Sequence, residues 1–126
     1  MATIVEPYNA LTRRLFDERT HAGDLAAAAT ARSHAGEPAD GAQLELSATA
    51  RDGRLEACRF RVFGCPHLLA AAEWWCRRVE GRLVTEVRDF SIADCSDELA
   101  VPIEKTGRIL LLEDAIRSLL PQLDAV

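Results

Sequence analysis

Residues 58–75 read CRFRVFGCPHLLAAAEWW, and the apolar residues change their period in the middle of this stretch. Up to Phe63 they alternate with basic residues, which is typical of a β-strand with one buried face. After Gly64 they recur at spacings of three and four, which is the pattern of an amphipathic helix. Because Pro66 suits a first helical turn, the stretch predicts a strand that turns into a helix at Cys65.

The strand before this corner has a predicted partner earlier in the chain. Residues 43–50, QLELSATA, alternate in the same way, and an Asp-Gly pair at 52–53 separates the two alternating runs. Such an arrangement is typical of a β-hairpin. Since side chains alternate between the two faces of a strand, Cys58 should lie in the core, while Arg59 and Arg61 share the other face, which we expect to be solvated.

Helical patterns surround this hairpin. Spaced apolar residues predict a short helix over residues 5–16, and the helix after the corner should end near Gly81. A short segment over residues 91–99 begins with a capping serine, and a long helix follows Pro102. The order of elements predicts an α+β fold in which helices pack on one face of a small antiparallel sheet.

Length and composition limit the kind of protein this can be. The 126 residues suit a single domain over positions 1–126, and 48% apolar with 28% charged residues is typical of a soluble globular chain. The net charge of −5 argues against nucleic acid as a partner. Without an apolar run of about 18 residues or a signal-like N-terminus, we predict a cytoplasmic protein that does not contact membranes.

Four cysteines without a CxxC pair should be free thiols in a reducing cytosol. Cys65 is the leading candidate for chemistry, because the start of a helix favours a thiolate, which is a nucleophile or a soft metal ligand. The alternative is a small buried residue at a tight corner. His67 lies two residues further on and could serve as a ligand at the same site, although a first-turn histidine is more often solvated.

The remaining candidates carry weaker signals. Cys76 would lie about 16 Å from Cys65 along a continuous helix, so its expected role is packing. Cys95 has polar neighbours in the sequence and no evident connection to Cys65. Trp74 and Trp75 must point about 100° apart, so at most one is expected fully in the core, with the other covering a groove or an interface.

Two longer blocks resemble the NifU/IscU-type iron–sulfur cluster assembly scaffolds. The first, LEACRFRVFGCPHLLAAAEWWCRRVEGR at 55–82, has the strand, the aromatic-Gly-Cys turn and the small-residue helix of that family. The second, ELAVPIEKTGRILLLEDAIRSLL at 98–120, contains Glu-Asp-Ala-Ile at 113–116. Weaker similarity at 8–25 and 41–56 extends the resemblance over most of the chain, so it implies a NifU/IscU-like fold.

This resemblance changes the prediction for one segment. The alanine-rich composition of Leu25–Ala31 favours a helix by propensity, and the Gly, Pro and Asp residues after it favour a loop up to position 42. The family has a strand where Leu25–Ala31 lies. We therefore predict a three-stranded antiparallel sheet with Leu25–Ala31 as one strand, since tertiary context can override weak propensity.

The resemblance also implies a site. In the family three cysteines and an aspartate surround the cluster or zinc. Here only Cys65 matches a family cysteine; Asp40 stands at the position of the first cysteine and Ala42 at that of the aspartate. The third cysteine, part of a His-Cys pair in the family, corresponds to Gly107, with Thr106 before it.

The implied cofactor is an iron–sulfur cluster or zinc, with Cys65, Asp40 and His67 as candidate metal ligands and the first two as cluster ligands. A [2Fe–2S] centre needs about four thiolates or comparable donors. One chain supplies three at most, so we do not expect a stable cluster on the monomer. A homodimer that pairs two Cys65 corners would supply the missing donors.

The implied function is that of a scaffold-like protein, not an enzyme, which binds iron and sulfur transiently through Cys65. Its implied partners are a cysteine desulfurase and other iron–sulfur assembly proteins. The family's chaperone-recognition segment corresponds to residues 100–104, where Glu104 replaces a lysine and makes docking of the usual chaperone doubtful. Two alternatives stay open: a single-cysteine persulfide acceptor similar to SufE proteins, and an interaction module that has lost its ligands.

Overall fold

The computed structural model of the chain describes residues 8–87 and 91–124. Its elements, in chain order, are α1 (Ala10–Glu18), β1 (Ala31–Glu37), β2 (Ala42–Arg51), β3 (Arg54–Phe63), α2 (Pro66–Val79), α3 (Val84–Val87), α4 (Ile92–Glu98) and α5 (Thr106–Asp124). Short 3-10 turns occupy Ala26–Ala28, Pro38–Asp40 and Ile103–Lys105. Within the described ranges, no helix combines the length and the apolar character needed to cross a membrane.

The three strands form one antiparallel sheet, as predicted, and their order in it is β1-β2-β3. The β2–β3 hairpin places Leu46 opposite Phe60 and Ala48 opposite Cys58, and all four side chains are buried. Helices α2 and α5 pack against the sheet, while Arg61 on its other face is exposed. The α+β class, the hairpin and the core position of Cys58 are therefore confirmed.

The first strand lies later in the chain than predicted. It spans Ala31–Glu37, whereas Ala26–Ala28 forms a 3-10 turn, so the strand over Leu25–Ala31 and the loop over residues 32–37 were both wrong. Ala31 pairs with Ala48 and Glu37 with Ala42, and α5 packs on β1. These partners lie far away in the sequence, which is why local composition did not indicate the strand.

Helices α1 and α4 each follow a residue whose side chain caps them. Asn9 accepts a hydrogen bond from the amide of Thr12 and fixes the start of α1 at Ala10, later than predicted; positions 5–7 lie outside the described residues. Ser91 caps α4 in the same way, as predicted. Helix α2 begins at Pro66, also as predicted. Each cap supplies an acceptor for a first-turn N–H group that has no partner within its helix.

Both tryptophans of α2 are buried, but in different places. Trp75 lies fully in the core. Trp74 lies between α2 and α4, where its indole N–H donates to Glu98 and the guanidinium of Arg78 lies 4.1 Å from the centre of its ring. Trp74 therefore covers a groove between helices, as expected for the second tryptophan, and is buried there as well.

A buried carboxylate ties α2 to the segment that follows α1. Glu73 is fully buried; it accepts hydrogen bonds from the backbone N–H of His21 at 2.7 Å and from Nε of Arg77 at 2.8 Å. The His21 ring nitrogen Nδ1 lies 2.6 Å from the second carboxylate oxygen. Burial alone would raise the pKa of Glu73, but the hydrogen bonds from His21 and Arg77 outweigh it, so the pKa is lowered.

Replacing Glu73 with alanine is expected to lower the free energy of unfolding by about 3 kcal/mol, because the backbone N–H of His21 and Nε of Arg77 lose the buried carboxylate that accepts their hydrogen bonds. The matched control is Glu113→Ala, since Glu113 and Arg117 form a pair at the same helical spacing on the surface. The Glu113→Ala change should lower the free energy of unfolding by less than about 0.5 kcal/mol. Chemical denaturation of both variants measures the difference, and equal losses would contradict it.

The lowered pKa of Glu73 also predicts a dependence of stability on pH. Its ordinary value is 4.5, so its contribution is fully present above that pH and is lost as the pH falls through the lower value of the folded state. Glu73→Gln should therefore remove part of the loss of stability that we expect for the unmodified chain below pH 4.5.

Candidate functional site

Cys65 lies at the sharp corner between β3 and α2. The strand ends at Phe63, Gly64 has a φ of +94°, and Cys65 is the N-cap residue of the 14-residue helix α2. Its carbonyl accepts the first helical hydrogen bond, from the amide of Leu69 at 3.0 Å. The residue as a whole is 7% exposed and therefore buried, although less completely than the other three cysteines.

The loop between β1 and β2 packs against this corner. A Cβ placed on Gly64 would lie 2.1 Å from the carbonyl oxygen of Gly41, a distance that real Cβ atoms do not reach. Gly41 itself has a φ of +91° and follows the turn that contains Asp40. Two glycines in contact therefore bring the Asp40–Gly41 segment next to Gly64 and Cys65.

The first turn of α5 forms the third side of the site. Nη1 of Arg108 donates a hydrogen bond to the carbonyl oxygen of Asp40 at 3.0 Å. Nη2 of the same guanidinium lies 3.0 Å from the position that a Cβ would take on Gly41. The segments around Asp40, Cys65 and Gly107, which lie far apart in the sequence, thus form one cluster. We call it the Cys65 site: residues 40–42, 64–65 and 107–108.

The side chains of the Cys65 site do not form a complete ligand set. Ala42 and Gly107 offer no side-chain donor. Within residues 8–87 and 91–124, no three His, Cys, Asp or Glu side chains are grouped so that they could hold a metal ion. His67 is buried on α2, with its ring 4.7 Å from that of Tyr8. The residues therefore do not fit a metal or cluster held by one chain, and the ligand roles of Cys65, Asp40 and His67 stay a prediction.

The other three cysteines, Cys58, Cys76 and Cys95, are fully buried. Burial, together with the neighbouring Cys58, raises the pKa of Cys76 well above its ordinary value. Burial raises the pKa of Cys95 to about 12. These two groups are therefore protonated thiols near neutral pH, which makes them poor nucleophiles. Their burial agrees with a packing role.

Sequence reasoning missed Arg108. The resemblance points to Gly107, which corresponds to the third family cysteine, and implies no role for the arginine that follows it. A signal was present, since a cation in the first turn of a helix opposes the helix dipole. An arginine at such a position indicates a partner outside its own helix, which here is the carbonyl of Asp40.

Comparisons with known proteins agree with this architecture. The family model of the NifU-like N-terminal domain matches residues 8–122. The iron–sulfur cluster assembly scaffold protein IscU of Escherichia coli (strain K12) is 31% identical over 84 residues, which are 66% of each chain. Iron sulfur cluster assembly protein 1, mitochondrial, of Schizosaccharomyces pombe is also 31% identical over 84 residues, which cover 66% of this chain and 44% of that protein.

The chain thus spans just under two thirds of the length of the bacterial relative that it matches. Among solved structures, the N-terminal part of a nitrogen-fixing NifU-like protein from Brucella abortus superposes with a TM-score of 0.73 at 18% identity. That match covers 93% of this chain and 94% of the other, so the folds agree along nearly the whole chain. Because the family model matches far more than half of the residues, the chain belongs to the NifU-like N-terminal domain family.

Proposed function

We propose that this protein takes part in iron–sulfur cluster assembly as a scaffold-like protein and that Cys65 is the residue that accepts sulfur. The observation that carries the proposal is the Cys65 corner. Of the four cysteines, Cys65 is the one at the N-cap position of a helix, and its neighbour Gly64 packs on the β1–β2 loop. Cys65 is 7% exposed, whereas the other three have no exposed surface. Family membership supports the assignment to this pathway.

The proposed step is the transfer of one sulfur atom from a protein persulfide, the partner being a cysteine desulfurase. The Cys65 thiolate attacks the outer sulfur of the donor persulfide and forms a new S–S bond. The old S–S bond breaks, and the donor cysteine leaves as a thiolate. One S–S bond forms for each one that breaks, so no oxidant or reductant is consumed.

In the scaffold role, iron is cargo that joins the sulfur on Cys65, with Asp40, His67 and a second copy of the chain as further donors. A second candidate function is that of a persulfide acceptor that passes sulfur on without binding iron. The ligand count favours this second candidate, because Ala42 and Gly107 stand at two family ligand positions. Both functions share the sulfur on Cys65 and differ in the iron.

One experiment tests both functions. The protein is incubated without oxygen with a cysteine desulfurase and cysteine, either alone or with ferrous iron and a reductant that supplies the two electrons needed to convert persulfide sulfur to cluster sulfide. Intact-mass spectrometry is expected to show the gain of one sulfur atom in the sample without iron. A cluster absorption band in the sample with iron supports the scaffold, and sulfur without that band supports the acceptor. If the protein is folded and shows neither the gain of sulfur nor the cluster band, both functions are refuted and the interaction module remains.

A further inference from the structure

The Asp40–Gly41 loop is held in place by an arginine. The guanidinium of Arg108 reaches back from α5 and bonds the carbonyl of Asp40, and its second nitrogen lies over Gly41. One helical turn further, a methyl group of Leu111 lies 3.0 Å from the position that a Cβ would take on Gly36. Helix α5 therefore contacts both β1, at Gly36, and the loop that follows it, at Gly41, with side chains at i and i+3.

We infer that the contacts of Arg108 order the Asp40–Gly41 loop in place of a bound ion. With Ala42 and Gly107 at two ligand positions, the side chains cannot close a metal site within one chain. A planar guanidinium has several donors in a fixed geometry and is always charged, so it can join two backbone segments without an ion. It also places a positive charge beside the Asp40–Gly41 loop.

We propose that Arg108 is a positioning residue for sulfur transfer: it holds the Asp40–Gly41 loop on the Gly64–Cys65 corner and makes the site independent of metal. Only the expected effect of Arg108 on sulfur transfer rests on the proposed function. The contact between Arg108 and the loop stands on the structure alone. Arg108 acts through the Asp40–Gly41 loop, because Gly64 packs against that loop.

The first test is hydrogen exchange of the loop in Arg108→Gln. Residues 38–43 should exchange about tenfold faster, since a hydrogen bond from a charged group is lost. The matched control is Arg117→Gln on the same helix, whose partner is Glu113, and it should leave the loop unchanged. Unchanged exchange in Arg108→Gln would overturn the proposal. So would slower exchange of the unmodified protein on addition of zinc, because an ion would then order the loop.

The second test measures single-turnover transfer of sulfur from a persulfide-loaded desulfurase. Arg108→Gln should lower the limiting rate about tenfold, with the half-saturating concentration unchanged, because the site is disordered while docking is not affected. Arg108→Lys should recover part of the rate, since lysine keeps the positive charge but lacks the planar guanidinium with its several N–H donors. Faster loop exchange with an unchanged limiting rate would refute the positioning role. If the unmodified protein accepts no sulfur at all, the proposed function fails, while the exchange data still decide whether Arg108 holds the loop.

Discussion

Gly64→Ala is expected to lower the free energy of unfolding by about 3 kcal/mol. Two effects add at this position. The backbone has a φ of +94°, which side chains with a Cβ rarely adopt, and the new methyl group would lie 2.1 Å from the carbonyl oxygen of Gly41. Relief requires the β1–β2 loop to move away from the corner. The same variant should therefore also disorder the Cys65 site.

The control for this variant is Gly53→Ala in the hairpin turn. Gly53 has a similar φ of +75°, but a Cβ there would meet no atom within 4 Å. Its expected cost is about 1 kcal/mol, from the backbone conformation alone. Urea denaturation of the two variants separates backbone strain from the steric clash. If both variants lose the same amount, Gly64 is not in close contact with Gly41, and the assembly of the site described above is incorrect.

Cys65→Ala is expected to abolish the gain of sulfur from a desulfurase. The loss should be complete because the remaining thiols are fully buried and those of Cys76 and Cys95 are held in the protonated form. Cys95→Ala is the matched control: it removes a buried thiol with a pKa of about 12 and should leave the gain of sulfur intact. Intact-mass spectrometry after incubation with desulfurase and cysteine gives both results.

Both variants must be shown to be folded before these masses are compared. A buried cysteine replaced by alanine costs about 1 kcal/mol, which a domain of this size tolerates. Full sulfur uptake by Cys65→Ala would assign the acceptor role to another thiol. Loss of uptake in Cys95→Ala, with its fold intact, would show that the two cysteines act together.

The hairpin, the corner and α2 were predictable because each is encoded locally. An alternating run, an Asp-Gly turn and a change of period at Gly64 each specify one element. The position of the first strand was not predictable from the local sequence. Ala31–Glu37 contains small and polar residues and becomes a strand through its pairing with β2. The resemblance predicted the number of strands, while the position of β1 depends on contacts with distant residues.

For the site, the sequence indicated the cysteine but not what surrounds it. Cys65 could be singled out because a helix start changes the chemistry of a thiol. The contact of Gly41 with Gly64 and the hydrogen bond from Arg108 to Asp40 join segments that are more than 20 residues apart, and no local pattern encodes them. Residue positions inherited from a family indicate where a site lies, but its present chemistry depends on such contacts.

The most direct test of the central claim is to locate the transferred sulfur by peptide mapping. The protein is first treated with a chelator, then loaded by a desulfurase with cysteine, and its persulfide is trapped by alkylation before digestion. We predict that the sulfur lies on the peptide that contains Cys65 and that chelation does not reduce its amount. Sulfur on the peptides of Cys58, Cys76 or Cys95, or a loss of transfer that zinc restores, would contradict this account.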